Sequence, residues 1–379
     1  MFSYWEQESF IQYDHIVIGA GIVGLSTAIE LKQLFPKQRV LVLERGLLPT
    51  GASTRNAGFA CMGSVTELLD DLEHTDEAGV VRLFEWRKNG LELLRNRLGD
   101  HNIGYNENGS YELISDGELD ALNRLDYLNK LLLPITGKAS FKMADGEIAN
   151  TGFSKKYTKA LIENTCEGEL HSGMMMRSLT DMAISKSVEI KTGADVLKFE
   201  EQQDNVHVYL RDPFRSETSV LQCCTLSICT NAFTKKLLPY VDVEPGRGQV
   251  LITHPIPGLK FKGIYHFDKG YYYFRVIAGR VLLGGGRNLD FKTENTTDFA
   301  LNEMIQADLV QKLHTIILPD TSFSIDTSWT GIMAFGAHKF PVVQSFSPRV
   351  FGAFRMGGMG VALGSEAARK LVAIIAETY

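Results

Sequence analysis

The hydrophobic pattern is densest near the amino terminus, where HIVIGAGIVGLSTAIELKQLF (residues 15–35) changes period within one short stretch. The apolar run from His15 to Ile18 predicts a buried strand, the glycines a turn, and the apolar-rich segment from Ile22 to Phe35 a helix that Pro36 stops. RVLVLERG (39–46) reads as a second buried strand. Together they predict a right-handed βαβ unit of roughly thirty residues with parallel strands. From Glu67 to about Leu133 the pattern is mostly helical, with Leu119, Leu122, Leu125 and Leu128 spaced as one core-facing stripe. SGMMMRSLTDMAISK (172–186) predicts another helix, in which Met174, Met175 and Met176 fill packing gaps. VEIKTGADVLKFEE and VHVYLRD predict two strands, and CCTLSICTNAFT (223–234) a buried strand opening onto a turn.

From Pro245 to about Trp329 the texture becomes strand-rich and aromatic, in GQVLITH, GIYHF, GYYYFRV and RVLLGGG, which predicts an antiparallel sheet. RVFGAF followed by GMGVALGSEAARKLVAIIAE returns to strand, glycine turn and helix. The first texture therefore recurs at the end of the chain, and the domain it marks is expected to be discontinuous.

Composition narrows the class. A chain of 379 residues with 44% hydrophobic positions can bury a large core, so two domains, or one domain with an insertion, are expected. A net charge of -6 disfavours nucleic acid as a partner. Five cysteines without CxxC spacing suggest free thiols in a reducing compartment, and nine scattered histidines show no metal-ligand spacing, so no metal is expected. The start MFSYWEQESFIQYDH lacks the basic and apolar regions of a signal peptide, and no run of 18 apolar residues suggests a transmembrane segment. A cytoplasmic location is expected.

Gly19, Gly21 and Gly24 form GxGxxG between strand and helix, and Glu44 closes the second strand. In this setting the glycines make the turn, admit a pyrophosphate and let helix pack on strand, while the acid takes ribose hydroxyls. A carboxylate there repels the 2′-phosphate of NADP, leaving NAD or FAD. GASTRNAGFA (51–60) favours FAD, since its small residues leave room for an extended cofactor and Arg55 and Asn56 can reach phosphate or flavin carbonyls. A second glycine cluster, FRMGGMGVALGS (354–365), also asks for a close backbone approach.

These segments, with GRGQV, YYYFRVIAGRVLLGGG and WTGIMAFGAHKFPVV, occur in an order that resembles the D-amino-acid oxidase-like FAD-dependent oxidoreductases, the family of glycine oxidase and sarcosine oxidase. The resemblance runs from about residue 14 to the carboxyl terminus. It implies an α/β architecture: a discontinuous Rossmann-type FAD-binding domain (1–85, 150–240, 335–379) and a substrate domain on a mainly antiparallel sheet (86–149, 241–334). Cofactor contacts are then expected from Gly19, Gly21, Ile22, Val23, Gly24, Glu44, Arg45, Ser53, Arg55, Asn56 and Ala57. Val196 would lie by the adenine, Thr230 and Asn231 at the strand-to-turn segment, and Gly357, Gly358, Met359, Gly360 and Val361 against the flavin.

The resemblance further implies hydride transfer to flavin N5 from the amine-bearing carbon of a small amine or amino acid, giving an imine that hydrolyses. Tyr272 would line the substrate site with Arg275 and Met333, while Arg247 and His338 are further polar candidates. Strand alternation places Tyr271 and Tyr273 on one face and Tyr272 with Phe274 on the other. Three positions depart from the family pattern. Met333 stands where an arginine binds the substrate carboxylate, Thr330 is nearest the flavin-linking cysteine position, and Leu282 replaces the lysine that serves oxygen. The FAD is therefore expected to be noncovalent and the electron acceptor to be oxygen, a quinone or another carrier. A 2-hydroxy-acid dehydrogenase and a flavin-binding protein without turnover are the alternative readings.

Overall fold

A computed structural model describes residues 3–212 and 218–378. Two eight-stranded sheets stand side by side, each with its own apolar core. In the first, five mutually parallel strands run in the order Val350–Phe354, Ser219–Ile228, Gln12–Ile18, Val40–Leu43 and Glu189–Lys191. Val342–Ser345 adds antiparallel at one edge, and Val206–Leu210 pairs antiparallel with the start of Ser219–Ile228. The segment expected to give two strands gives three, because Gly193 takes φ +68° and separates Glu189–Lys191 from Val196–Glu201.

The helix Ile22–Leu34 is buried along nearly its whole length because a second helix, Gly360–Ala376, and a third, Ser172–Ser185, pack across it. Each fully buried Leu or Ile in that layer contributes about 1.5–3 kcal/mol of apolar transfer. The carboxyl-terminal helix thus closes the same layer that the amino-terminal βαβ unit opens.

The second sheet runs Ile325–Phe335, Glu244–Thr253, Arg280–Gly285, Tyr272–Ile277, Ile264–Phe267, Ser110–Ile114, Ala160–Asn164, Phe141–Met143. Its neighbours are antiparallel except Ile264–Phe267 beside Ser110–Ile114. Two expected features are corrected by these pairings. A boundary at 85 would cut the continuous helix Glu77–Leu98, which packs on Gly360–Ala376, and one at 150 would separate Ala160–Asn164 from its own sheet. The expected limits at residues 1 and 379 lie outside the described residues. The mostly helical reading of 67–133 misses the strand Ser110–Ile114, and of the leucine stripe Leu128 is fully buried while Leu119 is exposed.

Among the described residues no helix is long and apolar enough to cross a membrane.

Candidate functional site

A cavity of about 540 Å³ opens between the two sheets. That is within the range of small-molecule sites. Every cofactor candidate from the sequence lines it except Gly24. Gly24 acts from behind: a Cβ there would stand 1.8 Å from the Gly19 carbonyl oxygen, so the helix can approach the turn only without a side chain. Gly19 itself takes φ +103°, and its Cβ would meet the Cys229 carbonyl oxygen at 2.7 Å. The turn is thereby pressed against the end of the neighbouring parallel strand.

At one end of the cavity the buried Glu44 carboxylate accepts the Ala20 N–H and the Gly46 N–H, both at 3.0 Å, which fixes the acid beside the glycine turn. Arg45 lies over the Phe233 ring at 3.7 Å, with the Lys236 ammonium on the same ring at 5.8 Å. Ser53 Oγ accepts the Ile22 N–H at 3.0 Å, so a hydroxyl already sits at the first free donor of the buried helix. Asn231, at φ +46°, accepts the Arg355 and Met356 N–H groups on its Oδ1 at 3.0 and 3.3 Å. Through that side chain the loop before Gly360 is tied to the strand end at Cys229, and so to the first turn.

At the other end the backbone from Met356 to Val361 faces Met333, whose Sδ is 3.4 Å from where a Gly358 side chain would begin. Gly331, Met333 and Phe335 reach the cavity from one face of their strand. On the same face of this sheet stand Tyr273 and His266, with Phe59 against both, its ring centroid lying 5.5 Å from Tyr273 and 5.1 Å from His266. Burial pushes the Tyr273 hydroxyl up to about 12 and the Cys61 thiol well above its usual range, so both keep their protons at neutral pH.

Several expected contacts are corrected. Tyr272 points away from the cavity into the second core, stacked on Phe267 at 5.0 Å with its hydroxyl donating to Asp308 at 2.7 Å. Tyr273, one residue on, faces the cavity. Arg275 is absent from the cavity wall: it donates to the carbonyls of Ala57, Gly58 and Leu170 and pairs with Glu169 at 3.3 Å. Arg247 is held by the fully buried Glu294 through two hydrogen bonds, and the exposed His338 rests against Arg355. Arg55 and Asn56 do line the cavity, and part of their polar groups also holds the protein's own backbone. Arg55 donates to the Thr330 carbonyl at 2.9 Å, and the Asn56 amide closes its own turn on Ala52, Ser53 and Gly58.

Residues 14–374 match the family of FAD-dependent oxidoreductases, DAO. The chain belongs to that family. This FAD-dependent oxidoreductase is 22% identical to the probable oxidoreductase OrdL of Haemophilus influenzae over 374 residues, which is 94% of this chain and 81% of OrdL. Its fold is that of L-proline dehydrogenase from P. horikoshii, with a TM-score of 0.78 at 17% identity, covering 97% of this chain and 94% of that one. Glycine oxidase from Geobacillus kaustophilus is similar to the same degree, with a TM-score of 0.78 at 18% identity, covering 97% and 95%.

The residues present fit the family's cofactor. A turn with no room for side chains, an anchored acid at its edge and a second helix amino terminus at Gly360, all on one elongated cavity, suit a dinucleotide that carries a ring at its far end. Sequence reasoning missed the walls of that far end: Phe59, Cys61, His266, Tyr273, Phe335, and the charged Glu67, Asp70, Lys269, Arg287 and Lys339. Only the alternation of Tyr271 with Tyr273 pointed toward them.

Glu67 and Asp70 come from the helix Val65–His74, whose amino terminus rests on the buried Glu112. Burial raises the Glu67 pKa, but Lys339 and Arg87 outweigh it and hold the group below the usual carboxylate range. For Glu112 burial wins over the hydroxyls of Thr66 and Ser64 and the Thr66 N–H, and its pKa is pushed up to about 7. The folded state thus keeps a proton that the unfolded chain loses near pH 4.5, and stability falls as pH rises through about 7. We expect urea unfolding at pH 5 and pH 8 to differ by roughly 3 kcal/mol from this group, and Glu112→Gln to flatten the difference.

Proposed function

We propose that this flavoenzyme oxidises the C–N bond of a small amine or amino acid, using noncovalent FAD. The observation that carries the reading is the far end of the cavity, where Phe59, Tyr273 and Met333 form a largely apolar wall against the Met356–Val361 backbone. An aromatic wall suits a cationic or freshly neutral amine. Bound FAD would accept the hydride from the carbon that bears the amine, and the released imine hydrolyses in water. Tyr273 and Cys61, both protonated, are not bases, and none is needed when the amine binds neutral. The backbone N–H groups at the start of Gly360–Ala376 supply positive partial charge where the reduced ring would carry negative charge. The two solved relatives of the same fold are named for amino acids, which supports the substrate class.

The test is anaerobic bleaching of the purified yellow protein by a panel of amines and amino acids, with ammonia or amine assayed in the product. Bleaching with release of nitrogen is expected. Bleaching by 2-hydroxy acids with no nitrogen product would replace the reading by C–O oxidation, and no bleaching by either class would make the protein a flavin binder without turnover. Reoxidation by oxygen or by a quinone then identifies the acceptor. Acid precipitation is expected to release the colour; flavin retained on the pellet would point to Cys61, which lines the cavity beside Met359.

A further inference from the structure

Arg287 follows the glycines 284–286, of which Gly285 and Gly286 take φ +134° and +76°. That turn swings the side chain into the cavity, where its guanidinium carbon lies 4.2 Å from the Phe335 centroid and 4.9 Å from that of Phe291. Stacking by the faces leaves the in-plane N–H donors free for a ligand. The Nε–H is buried with no hydrogen-bond partner among the described residues. Room for the stack comes from Gly246, where a Cβ would stand 2.3 Å from Phe335 and 2.8 Å from Arg287 Nε.

Several other charges lining this end are paired with one another. Glu67 pairs with Lys339 at 3.4 Å, Lys339 with Asp71 at 2.5 Å, and Asp70 with Lys269 at 3.0 Å. Glu294 accepts two bonds from Arg247 and also attracts Arg287 through space, so one buried carboxylate faces two guanidiniums. Arg45 and Lys236 flank Phe233. Burial lowers the Arg287 pKa, yet an arginine stays charged at any physiological pH. A cation stacked near two rings with an unsatisfied donor has a free-energy incentive to recruit an anion to its guanidinium.

Phe335 follows Met333 by two residues on the same strand face, a step of roughly 6.5–7 Å. We infer that Arg287 is the substrate-anion subsite and that it selects amines whose carboxylate lies several bonds beyond the oxidised carbon, ω-amino acids rather than α-amino acids. Met333, one pleat closer to the Met356–Val361 backbone, presents a thioether to the cavity and no donor to an anion. The subsite deepens the amine reading, on which its substrate class rests.

The test uses the FAD-loaded protein and dead-end probes, pentanoate and pentanamide, followed by the shift of the flavin absorbance. Pentanoate is expected to bind at least about tenfold more tightly than pentanamide, and Arg287→Met to weaken pentanoate by about thirtyfold while leaving pentanamide unchanged. Arg287→Lys, which keeps the charge without the planar fork, should fall between them. An unaltered pentanoate affinity in Arg287→Met with full FAD content would overturn the subsite. Bleaching separates the two readings. If 5-aminopentanoate outpaces both 1-aminopentane and glycine, both readings hold; if 1-aminopentane or glycine bleaches as fast, amine oxidation stands and the subsite falls. If no amine bleaches but pentanoate binding depends on Arg287, the subsite stands and amine oxidation falls.

Discussion

Gly24→Ala is expected to yield a protein that no longer retains flavin through gel filtration and that unfolds at a markedly lower temperature. The added carbon would sit 1.8 Å from a backbone oxygen, that of Gly19, and neither atom belongs to a flexible side chain. Relief requires the helix Ile22–Leu34 to lift from the turn, yet that helix is clamped by Gly360–Ala376 and Ser172–Ser185. Overpacking of this kind costs about 1–3 kcal/mol when side chains can give, and more where only backbone can. The same displacement carries the helix amino terminus away from the cavity, so flavin affinity should fall by about a hundredfold for each 2.7 kcal/mol lost at that contact. Gly117→Ala is the control, since nothing lies within 4 Å of its Cβ position. A yellow Gly24→Ala protein with the parent melting temperature would mean that helix and turn are not in rigid contact.

Features that depend on local chemistry could be read before the structure. Gly19, Gly21 and Glu44 announce themselves because a strand, a turn and a helix of opposite periodicities meet within a few residues, and the glycine cluster at 357–360 repeats the signal. Face selection is different. Alternation says that Tyr271 shares a face with Tyr273, but which face meets the cavity is decided by the helix Glu303–Lys312, whose Ile305 and Leu309 join Tyr272 in the second core. That helix lies in a stretch that reads as strand-rich, so nothing in the pattern opposed the resemblance that put Tyr272 in the site.

Long-range pairing hid the rest. Arg55 reads as a cofactor contact, and nothing local shows that one of its N–H groups is held by the Thr330 carbonyl, 275 residues away. Ala160–Asn164 looks like part of the first domain until it pairs with Ser110–Ile114. Arg287 has no periodic context at all; its importance comes from two rings and one missing side chain, contributed by Phe291, Phe335 and Gly246.

Arg275 shows how burial converts a supposed substrate contact into a support for the cofactor loop, and its replacement separates the two roles. Its guanidinium reaches three carbonyls, those of Ala57, Gly58 and Leu170, and the Glu169 carboxylate, next to the cavity-lining Asn56 and Ala57. Arg275→Met would leave Glu169, only 6% exposed, as a buried charge without its cation. Breaking such a pair from one side typically costs about 3–5 kcal/mol, because the remaining ion is uncompensated. Arg275→Lys restores the charge but one donor cluster cannot span all four acceptors, so it should recover only part of the loss. Glu169→Gln combined with Arg275→Met removes the stranded charge and should return part of the stability, a recovery that only a charge-pair role predicts. Thermal unfolding and FAD titration are the readouts: both should deteriorate in Arg275→Met, while KM for a bleaching amine, measured at saturating FAD, should change little. Parent-like melting with a raised KM would put Arg275 back among the groups that touch substrate.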